Sequence, residues 1–422
     1  MSANRIWKRL LTVERAVVEQ VEIDQDAGVL VARVRPVVRE RHRCGICRRP
    51  GRGYDQGRGR RRWRCLDAGT VKVFLEAEAP RVRCREHGVV AAAVPWARHG
   101  AGHTLVFDQQ AAWMATECSK SAVAQLMRVS WRTVGAIVER FVADRDTGLD
   151  RLSGLRRIGI DEISYRKGQK YMTVVVDHHS RQVVWMADGH GRAVLEGFFA
   201  ELGPQRSAKL THVSADGAQW IADTVAAHPP RAVRTMDPFH VVAWATEALD
   251  AERRAGWNRA RHQALDAATA RALKDSRFAL WKNPEDLTHR QQAKLGWIAA
   301  TDPRLHRAYL LKEGLRTVFA IAREQDTQTA IAALDRWLSW AQRCRIDTFA
   351  DLGRRIRRHR EVIVNALVER LSNGLIESTN TKTRLIIRRG FAFRTASAVI
   401  ALVMLTLGGE RPSLPGRQLA ST

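Results

Sequence analysis

No stretch of the chain reaches the ~18 consecutive apolar residues that a membrane-spanning helix needs. The longest candidate, Ala396 to Leu407, is too short and reads as a buried helix. The N-terminus lacks the apolar stretch of a secretory signal, so the expected location is the cytoplasm, where thiols stay reduced. Cysteine is scarce: six in 422 residues, with Cys44, Cys47, Cys65 and Cys84 in the first quarter. Cys118 and Cys344 are isolated and read as small core residues. Acids are scarce too, 44 Asp plus Glu against 70 Lys plus Arg, which leaves a net charge of +26. Such an excess attracts polyanions, and Arg-dense runs point to nucleic acid more than to a membrane. The apolar fraction of 45% argues against a disordered chain. The length allows roughly two to four domains, and no internal repeat is present.

What is there divides into five stretches. Residues 1–100 carry short alternating strands, such as Val29 to Val34, around a Gly- and Arg-rich segment from Arg39 to Arg64. Residues 101–150 are helical by period: Val134, Ile137, Val138 and Phe141 fall at spacings of three and four. Residues 151–242 change to strands at Ile158–Ile163, Tyr171–Asp177 and Gln182–Met186. A helix, a fourth strand (Lys209–Val213), a second helix and a fifth strand (Ala232–Met236) follow, a mixed α/β unit. Residues 243–370 show no strand and six Trp, read as core of an all-helical insert. Residues 371–422 begin with a new helix.

Cys44-Gly45-Ile46-Cys47 and Cys84-Arg85-Glu86-His87 are two knuckles. Zinc takes four soft or borderline ligands in a tetrahedron, and a two-residue gap lets one turn present two of them. Cys65 is a spare thiol and an alternative to His87. Arg60, Arg61 and Arg62 belong to the Arg-dense stretch beside the first knuckle, a density that suits phosphate contacts or a narrow minor groove. Trp63 and Tyr54 within it are expected to pack.

Ser119 and Ser130 are placed to cap two successive helices, with Arg128-Val129-Ser130 as the turn. The second would present Ser130, Trp131, Arg132 and Thr133 at its start, where a recognition helix puts base-reading side chains.

The strand order matches a ribonuclease-H-like core: three adjacent strands, a helix, a fourth strand, then more helix. Phosphodiester chemistry there needs carboxylates at neighbouring strand ends to hold two divalent metals, and Mg²⁺ prefers oxygen ligands. Asp161, read as the end of the first strand, takes the first position. Asp216, before Gly217, takes the second, with Asp237 as a rival beside His240. Glu377 takes the third, on a late helix capped by Ser372 or Asn373. Asn380 and Arg384 share its face. Glu162 reads as a neighbour of the site rather than a ligand.

With these residues in view, the chain resembles the ISL-three family of bacterial insertion-sequence transposases over nearly its whole length. The resemblance is carried by Cys44-Gly-Ile-Cys47, Arg81-Val-Arg-Cys84-Arg-Glu-His87-Gly88 and Val94-Pro-Trp-Ala-Arg98. It continues through Gly159-Ile-Asp161-Glu162, Asp237-Pro-Phe-His240-Val-Val242, Ser372-Asn-Gly-Leu-Ile-Glu377-Ser-Thr-Asn380-Thr-Lys382 and Arg388-Arg-Gly-Phe-Ala-Phe-Arg394. Ser378 stands where Gly is commoner.

The resemblance implies a multidomain α+β protein: a zinc finger (structural Zn²⁺), a helix-turn-helix, and a DDE core interrupted by helices. Related transposases with helical inserts place the second acid in an Asp-Gly and follow it with an acid or Cys three residues before a His. That favours Asp216, with Asp237 and His240 as an accessory pair. The implied activity is cleavage of element ends and their transfer to target DNA. Asp161, Asp216 and Glu377 would hold two Mg²⁺, with Mn²⁺ as a substitute. Arg60–Arg62, Ser130–Thr133, Asn380, Lys382 and Arg384 would meet double-stranded DNA, both the terminal inverted repeats and the target. A dimer or larger assembly on DNA and a nucleoid-associated bacterial setting follow. The alternatives are a catalytically silent DNA-binding regulator and a nuclease that cuts without joining.

Overall fold

The computed structural model describes residues 3–417 except 147, 167, 169, 263–266, 325, 372–373, 391–392, 394 and 410. It divides into two compact units, Met1–Leu149 with Ile386–Thr422, and Asp150–Leu385.

The first unit opens with α1 (Ala3–Leu10), β1 (Ala16–Asp24), β2 (Val29–Pro36), β3 (Arg52–Asp55), β4 (Arg60–Arg64), β5 (Lys72–Glu78), β6 (Arg81–Cys84) and β7 (Gly88–Ala91). The strands form two sheets, ordered β1-β2-β5-β4 and β3-β6-β7. Alternation decides the faces. Trp63 and Leu75 turn into a core with Val18, Leu30 and Trp96, while Arg60 and Arg62 turn outward. Trp63 packs edge-on against Trp96 with ring centroids 5.7 Å apart, so it is a core residue as expected. Three helices follow: α2 (Leu105–Glu117), α3 (Lys120–Leu126) and α4 (Trp131–Asp146). Phe107, Ala111, Val123, Met127, Val134 and Ile137 form their common core.

The second unit opens with β8 (Arg157–Arg166), β9 (Lys170–Asp177) and β10 (Gln182–Asp188). Helices α5 (Arg192–Leu202) and α6 (Pro204–Ser207) then lead to β11 (His212–Ala215), α7 (Gln219–Ala227) and β12 (Val233–Met236). The sheet order is β10-β9-β8-β11-β12, antiparallel in the first three strands and parallel from β8 to β12. Ile158 and Ile160 of β8 face α5 and α7, packing with Leu195, Phe198 and Ile221. Alternation sends Gly159 and Asp161 to the other face.

Helices α8 (Pro238–His262), α9 (Ala267–Lys274), α10 (Arg277–Trp281), α11 (His289–Thr301), α12 (Pro303–Glu324), α13 (Thr327–Arg343), α14 (Asp347–Arg358) and α15 (Arg360–Glu369) come next, with no strand among the described residues of this stretch. Trp244 and Trp337 lie in their core, and Trp257 and Trp297 pack against it. Trp281 and Trp340 are exposed, so the insert's Trp residues are not all core.

Helix α16 (Gly374–Arg389) follows, with its residues to Leu385 in this unit. The expected caps, Ser372 and Asn373, lie outside the described residues. The unit boundary falls within the expected C-terminal segment 371–422: residues from Ile386 pack with the first unit. The reason is α17 (Ala396–Leu407), which is apolar on nearly all sides and packs on α4 and α2. No helix among the described residues is long and apolar enough to cross a membrane.

Candidate functional site

The two knuckles meet. Sγ of Cys44, Cys47 and Cys84 and a ring nitrogen of His87 all lie within 4.8 Å of one another. The Cys47–Cys84 sulfurs are 3.7 Å apart, and His87 Nδ1 is 3.8 Å from Cys44 Sγ and 3.7 Å from Cys84 Sγ. A tetrahedron with Zn–S of 2.3 Å has sulfur–sulfur edges of about 3.8 Å, so the donors fit zinc in number, type and spacing. Backbone N–H of Glu86 first, then the His87 side chain, bring the Cys84 thiol down to about 6, toward the thiolate that zinc requires. Gly45 serves by close approach: a Cβ there would stand 2.3 Å from His99 Nδ1 and 2.5 Å from the Ala91 carbonyl oxygen. Gly88, at φ +66°, supplies the left-handed turn after the second knuckle. Cys65 is not the alternative ligand. It is 3% exposed in the sheet core, and its sulfur lies 3.9 Å from the Leu11 carbonyl oxygen.

The helix caps match the sequence reading. Ser119 Oγ accepts from Ala122 N–H at 3.2 Å, and Ser130 Oγ accepts from Thr133 N–H at 3.1 Å. Arg128 makes the turn between α3 and α4 at φ +55°. Ser130 and Thr133 hydroxyls bond each other at 2.8 Å. Trp131 covers the buried Lys120, whose Nζ sits 3.7 Å from the ring centroid. Arg132 is the exposed cation of this helix start.

Register aligns the strand-end acids. Gly159 of β8 stands level with Ser214 of β11, and Ala215 with Met236 of β12. Counting on, Asp161 of β8 comes level with Asp216 and Asp237, the first residues past β11 and β12. Asp161 is not at the end of its own strand, because β8 continues to Arg166 along β9. It lies where the β11 ladder stops, which opens the same kind of edge.

Helix α16 lies over this edge. Ile376 packs on Gly159, where a Cβ would stand 2.2 Å from Ile376 Cδ1. One turn later Asn380 Nδ2 donates to Asp161 Oδ2. Asn380 is buried, and its Oδ1 has no partner.

Burial first, with the negative Asp216 adding, pushes the Asp161 carboxyl up. Asp237 is pushed up to about 6 by burial, with Glu377 and Asp161 adding to it and His240 opposing. His240 Nε2 is 3.8 Å from Asp237 Oδ2. Among the described residues no Lys or Arg forms an ion pair with the Asp161, Asp237 or Glu377 carboxylate, and at Asp216 the half-buried Arg234 donates to the backbone carbonyl at 3.0 Å and attracts the carboxylate from there. Hard carboxylate oxygens in excess of cations, with the orphaned Asn380 oxygen beside them, fit a divalent cation of the Mg²⁺ kind. The four acids are neighbours rather than a closed cluster: the one group of three or more metal-type donors within 4.8 Å, among the described residues, is the Cys/His set.

Comparisons with known proteins match three successive parts of the chain. Residues 158–403 match the ISL3 DDE family described as "Transposase". Residues 92–142 match the helix-turn-helix domain of transposase family ISL3, and 40–87 the zinc-finger of transposases IS204, IS1001, IS1096 and IS1165. The transposase for insertion sequence element IS1557 of Mycobacterium tuberculosis, in two strains, is 57% identical over 98% of this chain and 97% of its own. The chain belongs to the ISL3 family of insertion-sequence transposases. A more distant relative, the transposase for insertion sequence element IS1001 of Bordetella parapertussis, is 26% identical over 79% of this chain and 81% of its own. Membership supports a DNA-cutting and joining enzyme.

Within that family frame, the remaining candidates divide by what they already hold. Arg60 bonds Glu78 at 2.9 Å, Arg62 bonds Glu76 at 2.8 Å, and Arg61 donates to the Ala101 carbonyl oxygen at 2.6 Å. These arginines brace a sheet, though Arg60 and Arg62 keep outer faces exposed. Lys382 and Arg384 are exposed on α16. Sequence reasoning missed Gly159 as the seat of α16. The signal for it was an isolated glycine inside a strand, a mark of close approach.

Proposed function

We propose that the chain is an active insertion-sequence transposase with a ribonuclease-H-like core, in which Asp161, Asp216 and Glu377 hold two Mg²⁺. When bound, such a metal pair activates an attacking oxygen and stabilises the leaving one. The observation that carries this reading is the shared level of Asp161 on β8 with Asp216 and Asp237 just past β11 and β12, with α16 laid across them.

In this reading the chain's own groups have distinct tasks. Asn380 holds one Asp161 oxygen, while the other accepts from the Glu162 backbone N–H at 2.7 Å. Glu377 overlooks the edge from an exposed position. His240 Nε2, facing Asp237 Oδ2, is placed to hold a proton or a phosphate oxygen at the rim. Lys382 and Arg384 continue the same helix outward as phosphate contacts. The zinc-binding segment (1–100) and the helix-turn-helix (101–150) bind the terminal inverted repeats, with Arg132 and the edge of Trp131 toward the bases. The core (151–242, completed by residues of the 371–422 segment up to Leu385) surrounds a helical insert (243–370). Two element ends must be processed together, so at least two chains act on the DNA.

The test is strand transfer with labelled element ends, target DNA and Mg²⁺. Joined product supports the proposal. Nicking without joining indicates a nuclease, and tight binding with neither product indicates a regulator.

A further inference from the structure

Arg157 begins β8, four residues before Asp161. Around it opens a cleft of about 790 Å³ whose wall includes Arg156, Arg157, His178, His179, Arg181 and Arg370, and no carboxylate. The nearby acids are engaged elsewhere. Asp177 accepts from the backbone N–H of His179 at 3.1 Å and of Ser180 at 2.8 Å, and Glu369 bonds His212 Nε2 at 2.8 Å. His178 Nε2 and Ser214 Oγ are hydrogen-bonded at 2.8 Å. The guanidinium groups therefore dominate the field. Arg156 is tethered to the Lys209 carbonyl oxygen at 3.2 Å. Arg157 and Arg181 are exposed and have no carboxylate partner among the described residues.

The cleft and the acids share two elements. Along β8, four residues at ~3.3 Å each separate Arg157 from Asp161 by about 13 Å. Along α16, Leu375 lines the cleft and Asn380 reaches Asp161, five residues and about 7.5 Å of rise. One strand of a duplex advances ~3.4 Å of axis per nucleotide. A backbone passing the acids would thus reach the cleft about two to four nucleotides away.

We propose that this cleft grips the phosphodiester backbone of the DNA beside the reacting phosphate, with Arg157 and Arg181 as its principal contacts. This deepens the transposase reading and rests on Asp161 as the reacting centre. The DNA has two sources, the element end or the target, with the same backbone chemistry.

The test uses the full chain and two duplexes, one carrying the element's own terminal repeat and one of random sequence. Affinity is measured against salt for wild type, the Arg157→Gln/Arg181→Gln double variant and the Arg157→Lys/Arg181→Lys double variant. Each lost phosphate contact flattens the slope of log affinity against log salt by about 0.9, so the Gln variant should lose about 1.8. The Lys variant should keep the slope. The duplex that shows the loss identifies the source. An unchanged slope on both overturns the proposal. If the Gln double variant fails to melt cooperatively, Arg181→Gln alone, on an exposed turn, should lose about 0.9, and no loss there also overturns it. The parent reading fails separately: a wild type that binds with the expected slope but never cuts sinks the transposase, while one that cuts and joins with an unmoved slope sinks only the cleft.

Discussion

Replacing Gly159 by alanine should disable the enzyme through the seating of α16. The glycine is not in the left-handed region, so alanine meets no backbone strain there, and in a strand it is intrinsically better than glycine by ~0.5–1 kcal/mol. The obstacle is steric. The new Cβ would stand 2.2 Å from Ile376 Cδ1, 2.8 Å from Ile376 Cγ1 and 3.1 Å from His178 Nε2. Carbon atoms rest at ~3.5 Å or more, so the closest contact is short by about 1.3 Å. Ile376 is 2% exposed and cannot swing into solvent. The helix must move instead, carrying Asn380 off Asp161 and Glu377 off the edge. Overpacking of this kind costs about 1–3 kcal/mol, while displacement of reacting groups by ~1 Å costs on the order of 10²-fold in rate. Activity should therefore fall far more than stability. Single-turnover strand transfer beside a thermal melt measures both. Ile376→Val, which removes Cδ1 but keeps Cγ1 at 2.8 Å, should restore part of the rate in the Gly159→Ala background. A Gly159→Ala protein with wild-type rate and melting point would refute the reasoning, as would a loss that Ile376→Val leaves untouched.

Three further outcomes are expected. Asp216→Asn should abolish cutting with DNA binding intact, whereas Asp237→Asn should leave measurable activity. The reverse pattern would transfer the second metal to Asp237. Purified protein should contain one zinc per chain by elemental analysis. Cys84→Ser should lose it and Cys65→Ser should keep it, and zinc retained by the Cys84 variant would refute the assigned ligand set. Because Asp237 holds its proton up to about 6 in the fold, it binds that proton more tightly folded than unfolded. Its ionisation then weakens the fold as pH rises from about 4 to about 6, by roughly 3 kcal/mol over some two units. Without added Mg²⁺, wild type should lose stability across that window relative to Asp237→Asn, and parallel melting curves for the two would contradict it.

Features set by local chemistry were legible in the sequence. Ser119 and Ser130 cap the helices they precede because a hydroxyl at that position has one natural donor to serve. The knuckles converge because paired donors at two-residue gaps have little other use. Features set by register were not legible. Arg60 and Arg62 looked like free cations until β4 and β5 aligned them with Glu78 and Glu76. Asp161 looked terminal because the apolar run stops there, yet the ladder to β9 carries β8 on to Arg166. The mostly apolar α17 was readable as buried, but nothing in its own sequence named α4 as the surface that buries it.

The bond from Asn380 to Asp161 joins residues 219 positions apart. That separation is also an interval of time. A ribosome adding ~5–20 residues per second needs roughly 10–40 s to travel from one to the other. Until then the emerging chain holds its zinc knuckles, its helix-turn-helix and its first acids, while the helix that completes the edge does not yet exist. A chain that stops early would lack both that helix and α17, which packs on α4 and α2, so only a finished chain would have its helix-turn-helix fully packed and its acidic edge complete.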